Sequence, residues 1–348
     1  MKKMLFALCL IFILPASLLS QDTAHGTIKG KVTDLETKEP LINATVFLEN
    51  TTFGTASEIK GSYEIVKVDP GFYHLIVSMV GYEIKRIPIR VPKGGRLTLD
   101  AQLKQKPVLL GQINVTGKVS DEWNDYIEIF EREFIGQGKF SHDVKLLNPE
   151  VINFKKDEDT KELKAFSDSI IILENKALGY KLFIILEAFS YQLRGDVDYH
   201  ARVRFQELKP QDNDEKSEWN DNRRYCYLGS PKHFFCSLLK RRLYNEGFSV
   251  RTGSMLMLTS GGGNVVSEED FKMEEFGGDY LRLNLDSPIK VEYSGRNSAV
   301  TYIMPGAPYF ILLDNTGNRV DANNLEVAGD WAGQRMASVL PYNYSPSE

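Results

Sequence analysis

Across residues 26–103 short runs of alternating apolar and polar residues recur, each preceded by residues that turn the chain. No helical period lies between them. Their apolar faces can therefore be buried only by pairing the runs into sheets and packing those sheets face to face. Residues 27–33 set Ile28, Gly30 and Val32 against Lys29 and Lys31, and residues 44–48 place Val46 and Leu48 on one side. Further strands are predicted at 62–66 after Gly61, 73–79 after Pro70 and Gly71, 84–89 after Gly81 and Tyr82, and 97–103 after Gly94 and Gly95. The expectation is one small β-sandwich over residues 26–104.

Named residues link that sandwich to a known family. Gly30, Val32 and Asp34, followed by Pro40, Leu41, Ala44 and Val46, resemble an opening G-x-V-x-D…PL-x-x-A-x-V pattern. Gly54, Thr55, Gly61, Tyr63 and Ile65 resemble the turn that follows it, with Ala56, Ser57 and Glu58 where Thr and Asp are usual, and Gly81 and Tyr82 match the closing G-Y. The stretch resembles the carboxypeptidase-like regulatory domain, which implies a transthyretin-like sandwich. Such modules accompany outer-membrane receptors, surface proteins and zinc carboxypeptidases as folding or interaction partners, so the resemblance implies contact rather than chemistry. Leu109 to Gly117 is similar to the segment that follows this domain in TonB-dependent transporters. The residues behind it are too few for a plug and a barrel of about 22 strands of about 10 residues each.

Residues 1–20 read as a cleaved export signal: Lys2 and Lys3 precede the apolar run 4–14, and small residues lead to Ser20. The run falls short of the ~20 residues of a membrane-spanning helix, and Cys9 lies too early for a lipoprotein cysteine. The best later apolar stretch, 180–191, is interrupted by Lys181 and Glu187. With a formal net charge of −5 the chain is no natural partner for nucleic acid. The basic groups Arg202 and Arg204, and Lys240, Arg241 and Arg242, read as solvated faces, the latter also suiting a helix C-terminus. Beyond Cys9 only Cys226 and Cys236 remain, and whether they pair is left open.

Residues 105–118 read as a linker and 119–348 as a larger β-rich α+β domain. Ser120 can cap a helix whose stripe is Trp123, Ile127, Phe130 and Phe134, ending at Gly136. Strands are predicted at 151–154, 163–166, 170–173, 180–189 and 197–205. An amphipathic helix pair follows: 212–227, anchored by Trp219, Tyr225 and Tyr227, and a second from Ser230 and Pro231 to Gly247, with Phe235, Leu239 and Leu243 every fourth residue. Short strands are predicted at 255–258, 280–285, 289–293, 300–304 and 310–313, then one short helix and an aromatic tail from Gly329 to Tyr344. The order from Trp123 to Tyr344 is similar to that of Bacteroidota proteins of unknown function that place this domain first, which implies no activity. The fold class expected is mainly β with an α+β C-terminal part.

Catalytic signatures are absent. None of His25, His74, His142, His200 and His233 has Glu three residues on, which excludes the zinc carboxypeptidase motif, and paired metal-ligand spacings are missing. No serine stands in a nucleophile elbow. His233 and Cys236 share a predicted helix face, which admits a redox or acyl-transfer pair but is ordinary in packing. Gly261, Gly262 and Gly263 lack the Lys and Ser or Thr of a phosphate loop and read as a hairpin turn. Asp314, Asn315, Asn318, Asp321, Asn323 and Glu326 lack the EF-hand spacing. Asp157, Glu158 and Asp159, and Glu268, Glu269 and Asp270, offer carboxylate pairs suited to glycoside hydrolysis only if folding brings two of them together.

No catalytic, cofactor or metal residues are assigned. The expectation is a non-enzymatic envelope protein, periplasmic or outer-membrane associated, that binds a protein or glycan partner. The alternative is a hydrolase of peptides or polysaccharides with its site in residues 119–348.

Overall fold

A computed structural model describes residues 25–106, 121–192, 197–277, 280–295, 299–307, 309–320 and 325–346. The expected export signal and most of the expected linker, Ser120 included, lie outside the described residues.

The N-terminal sandwich comprises β1 (Gly26–Asp34), β2 (Thr45–Leu48), β3 (Gly54–Ala56), β4 (Ser62–Val68), β5 (Gly71–Ser78), β6 (Lys85–Val91), β7 (Arg96–Thr98) and β8 (Ala101–Leu103). One sheet runs β4-β1-β7 with β8 also on β1, and the other runs β3-β2-β5-β6. Ile28, Val32, Val46, Leu48, Tyr63, Ile65, Leu75 and Val77 interdigitate between them. Strand β1 pairs antiparallel with β4 and parallel with β7 and β8.

The single strand expected at 97–103 is two. At the break, the Leu99 carbonyl accepts the Tyr63 hydroxyl at 2.7 Å and the Asp100 carboxylate accepts the Lys31 N–H at 2.8 Å. Those bonds replace ladder pairing at the point where β1 changes partner. Gly30 lies beneath it, where a Cβ would stand 1.8 Å from the Leu99 carbonyl oxygen.

Helix α1 (Asp121–Phe130) carries the expected stripe, with Ile127, Phe130 and Phe134 buried. It does not stay α-helical to Gly136, because residues Glu131–Ile135 form a π-helical turn. The wider turn leaves the Phe130 and Phe134 rings stacked at 4.8 Å, with Phe130 edge-on to Phe189 at 4.9 Å. The helix lies on an antiparallel sheet of β9 (Val144–Leu146), β10 (Asn153–Lys156), β11 (Leu163–Phe166), β12 (Ile171–Asn175), β13 (Tyr180–Tyr191) and β14 (Val197–Glu207). The order is β10-β11-β13-β12-β9, with β14 along the length of β13.

The helix pair is α2 (Asn213–Tyr227), capped by Asp212, and α3 (Pro231–Leu239), capped by Ser230. Helix α3 stops well before Gly247. Lys240 is its C-cap and Arg241 takes a left-handed φ of 53°, so Arg242 lies in the following turn, paired with Glu246 at 3.0 Å. Leu243 is buried from that turn and not from a helix face.

The remaining elements are β15 (Phe248–Thr252), α4 (Met255–Thr259), β16 (Asn264–Val266), β17 (Met273–Phe276), β18 (Tyr280–Asn284), β19 (Ile289–Tyr293), β20 (Ala299–Pro305), β21 (Phe310–Asp314) and β22 (Leu325–Gly329). They form a sheet β16-β15-β19-β20-β22 and a smaller one β17-β18-β21, packed with Phe234, Phe235 and Leu238 of α3. Two expectations fail here. Residues 255–258 form α4, because Ser254 caps the Met257 N–H and the Met-Leu-Met-Leu run is a good helix former. The glycines Gly261, Gly262 and Gly263 link that helix to β16, inside the connection of the antiparallel β15–β16 hairpin, as expected of a hairpin turn. The expected final helix is a single 3-10 turn, Trp331–Gly333, pinned by the Trp331 indole donating to the Gly229 carbonyl at 2.7 Å. Among the described residues no helix is long and apolar enough to cross a membrane.

Replacing Gly30 by alanine forces the Leu99 carbonyl out of its place, and is expected to cost about 1–3 kcal/mol of stability, read from urea unfolding of the chain.

Candidate functional site

The sandwich meets the central sheet along a seam built by the loop after β2. Asn50 donates its N–H to the Val203 carbonyl at 2.8 Å, and the Phe205 N–H donates to the Thr51 carbonyl at 2.9 Å. Thr51 thus pairs with Arg204 as a parallel bridge on β14. Asn50 reaches this position with a left-handed φ of 59°, a conformation that asparagine tolerates. Phe47 and Ile76 of the sandwich pack on Ile185 of β13 alongside.

Charged groups close the seam. Glu49 accepts from Arg202 at 2.8 Å and from Arg86 at 3.0 Å, and Arg202 also reaches Glu187 at 2.7 Å. Arg86 donates to His74 Nδ1 at 3.0 Å. Burial, and next the Arg86 charge, hold the His74 imidazole below its ordinary value. The chain's last described segment seals the other side: the Tyr342 N–H donates to the Asn50 carbonyl at 2.7 Å, and the Asn343 side chain exchanges bonds with Thr52 at 2.7 and 3.1 Å.

Beside the seam opens a cleft of about 380 Å³. Thr52 comes from the sandwich, Tyr180 and Glu207 from the paired ends of β13 and β14, Asn220, Asp221, Arg223 and Arg224 from α2, and Asn343 and Tyr344 from the C-terminal segment. Arg223 is its floor. It donates to the Leu178 carbonyl at 2.8 Å, the Gly179 carbonyl at 3.3 Å and Glu207 at 3.2 Å, with its guanidinium 4.1 Å from the centre of the Tyr180 ring. Gly179, at φ +65°, lets the Trp219 ring pack against the backbone beside this floor, since a Cβ there would meet that ring at 2.3 Å. Burial pushes the Tyr180 and Tyr344 phenols above their usual values, so both act as neutral hydrogen-bonding groups. Asn220, Asp221 and Arg224 are exposed and turned to solvent. The arrangement can hold a polar ligand by hydrogen bonds and charge.

The residues weighed in the sequence are not gathered here. His233 Nδ1 accepts from the Gly229 N–H at 3.0 Å and Nε2 faces Glu246 at 3.4 Å, whereas Cys236 donates to the Thr316 carbonyl at 2.8 Å. Burial pushes the Cys236 thiol up, away from thiolate. Cys226 and Cys236 form no disulfide with each other, which answers the pairing question. His25 pairs with Asp69 at 3.0 Å, while His142 and His200 are exposed. Arg202 and Arg204 correct the reading as a solvated face. Arg202 is locked in the seam, and Arg204 lies 5.2 Å over the Phe183 ring, its Nε against Gly54 and without a hydrogen-bond partner.

The acidic runs shape turns. Asp157 accepts the Asp159 and Thr160 N–H groups, and Asp270 accepts the Ser267 N–H. Asp314 accepts from Thr316 and Asn318, which closes a turn, and Asp321 and Asn323 lie outside the described residues. Among the described residues no three His, Cys, Asp or Glu side chains group to hold a metal. Glu49 and Arg223 carried no sequence signal, because their partners lie far along the chain.

The fold of the sandwich agrees with one family description, which matches residues 28–115. This stretch is a CarboxypepD_reg-like domain. That type of domain is not catalytic. No curated protein matches the chain. Among solved structures, the group B streptococcus pilus 2b backbone protein is 16% identical over 24% of this chain and 42% of its own, at a TM-score of 0.21. A DUF3823 family protein from Parabacteroides merdae is 9% identical over 81% of this chain and 96% of its own, at 0.19. BcpA, the major pilin subunit of Bacillus cereus, is 10% identical over 88% and 95%, at 0.20. The chain spans less than half of the streptococcal pilus proteins it matches, 42% and 45%. At such TM-scores these likenesses carry no argument.

Two outcomes test the seam. Arg202→Ala leaves the Glu49 carboxylate, only 14% exposed, with Arg86 and a neutral His74, and is expected to cost about 1.5–3 kcal/mol in chemical denaturation. Because the folded protein holds the His74 pKa down, the unfolded chain binds more protons at mildly acidic pH. Stability is therefore expected to fall as pH drops through about 6.5, with a shallower slope in His74→Gln than in the parent.

Proposed function

We propose that this protein is a non-enzymatic binding protein of the cell envelope, periplasmic or outer-membrane associated, and that the cleft beside the seam takes a glycan or a polar segment of a protein partner. The observation that carries this reading is the cleft itself. Exposed Asn220, Asp221 and Arg224 stand around a floor already neutralised by the Arg223 and Glu207 pair. Planar amide, carboxylate and guanidinium groups beside the Tyr344 ring suit a hydroxyl-rich ligand, which offers donors and acceptors to the first and an apolar sugar face to the second. The CarboxypepD_reg-like domain supports a binding role, since it contributes Thr52 to the wall and no chemistry. Export is supported by the sequence pattern of residues 1–20, a charged start followed by an apolar run and small residues.

The reading is tested by screening the processed protein against envelope glycans and detergent-solubilised envelope proteins. Arg224→Ala and Asn220→Ala, both at exposed positions, are expected to weaken the captured ligand about tenfold or more each without altering the unfolding midpoint. Binding that ignores both substitutions would move the site elsewhere and end this reading.

A further inference from the structure

The connection between β15 and β16 places apolar side chains in water at one end of the C-terminal domain. Residues 252–267 hold no charged side chain in a chain that is 26% charged, so this stretch can leave water without stripping an ion of its hydration. Leu258 is the buried anchor of helix α4, and Gly263 admits it, since a Cβ there would stand 2.8 Å from Leu258 Cδ2. The outward positions, polar in an ordinary surface helix, hold Leu256 at 81% exposure and Met257 at 49%. Val265, on the edge strand β16, is 71% exposed. Tyr309 stands at the same end, 55% exposed and at a left-handed φ of 63°. Residues 285–288 tie the two together: the Leu285 N–H donates to the Tyr309 carbonyl at 2.9 Å, and the Pro288 carbonyl accepts the Thr252 hydroxyl at 3.1 Å.

At the root of this connection lies a cation. Arg251 stands opposite Val265 and Lys290 in the sheet, and its Nη1 donates to the Gly263 carbonyl at 3.2 Å, which holds the guanidinium beside the glycines. Among the described residues Arg251 has no carboxylate partner, whereas Lys290 pairs with Glu292 at 2.7 Å. Asp286, the carboxylate of residues 285–288, is matched by Lys272 at 3.7 Å. We propose that this end of the domain docks on a membrane surface, with Leu256, Met257 and Val265 in the apolar boundary of one leaflet and Arg251 against lipid phosphate. The order in depth carries the choice of occupant. Apolar groups outermost, with an ion-pair-free guanidinium behind them, match a leaflet whose phosphates overlie its acyl chains. Tyr309 fits the boundary between those layers, since its ring is apolar and its hydroxyl polar. This surface is separate from the cleft, with which it shares no lining residue.

Flotation of the processed chain with lipid vesicles tests this directly. The parent is expected to float with vesicles of phosphatidylethanolamine and phosphatidylglycerol, and less with vesicles of phosphatidylcholine alone. Leu256→Glu combined with Met257→Glu is expected to lower that partition about tenfold or more, because apolar area drives the insertion. Arg251→Gln is expected to lower it about fivefold on the anionic vesicles and to leave it unchanged on phosphatidylcholine. Leu256 and Met257 are exposed, so an unaltered unfolding midpoint in the paired variant separates lost docking from lost fold. A parent chain that floats with neither vesicle overturns the proposal, as does flotation that ignores the paired glutamates. A dimer in sedimentation velocity that those same substitutions dissociate, without vesicle binding by the parent, assigns the patch to a second copy of the chain and overturns it equally.

Discussion

Backbone pairing between the Asn50–Thr51 loop and strand β14 holds the molecule's parts in register. A β-sandwich offers edge strands and loops, and a β-sheet edge offers unpaired N–H and C=O groups. Here each satisfies the other: Asn50 and Thr51 take up bonds from Val203 and Phe205 that water would otherwise supply. Backbone pairing alone would specify register weakly. The Glu49, Arg202, Arg86 and Glu187 charges add a position-specific lock, and a slip of one residue would turn Arg202 to the opposite face and leave Glu49 short of a partner.

The cleft depends on that lock. Its walls come from three distant parts of the chain, and Thr52 occupies one of them only because Thr51 is paired to β14. The C-terminal segment turns back over the same loop through Tyr342 and Asn343, so a single three-residue stretch is bonded on both sides. Arg223 then acts as an internal support rather than a ligand group. Three carbonyl and carboxylate acceptors and the Tyr180 ring use its guanidinium, whereas Arg224, one residue on, is exposed.

Periodicity revealed elements and missed their interruptions. Strands β1, β4 and β13 and the cap of α2 at Asp212 follow from local pattern, because alternation and capping are decided within a few residues. The break between β7 and β8 follows from the Tyr63 hydroxyl, and the end of α3 at Leu239 from a left-handed Arg241; neither is visible locally. The run 255–258 satisfies both strand and helix patterns at that length, and Ser254 decides it. For the site, the sequence supplied only exclusions. His233 and Cys236 share a helix spacing, yet their side chains find separate partners in Glu246 and Thr316.

The sequence by itself determined a β-rich chain that opens with a CarboxypepD_reg-like sandwich, because short alternating strands with turn residues between them have few other ways to bury their apolar faces. It also carries none of the catalytic motifs sought in it. Only the tertiary structure decided where Glu49, Thr52, Arg223 and Tyr344 stand. Their partners lie tens to hundreds of residues away, and contacts at such separation arise from the packing of whole sheets, which no local pattern encodes.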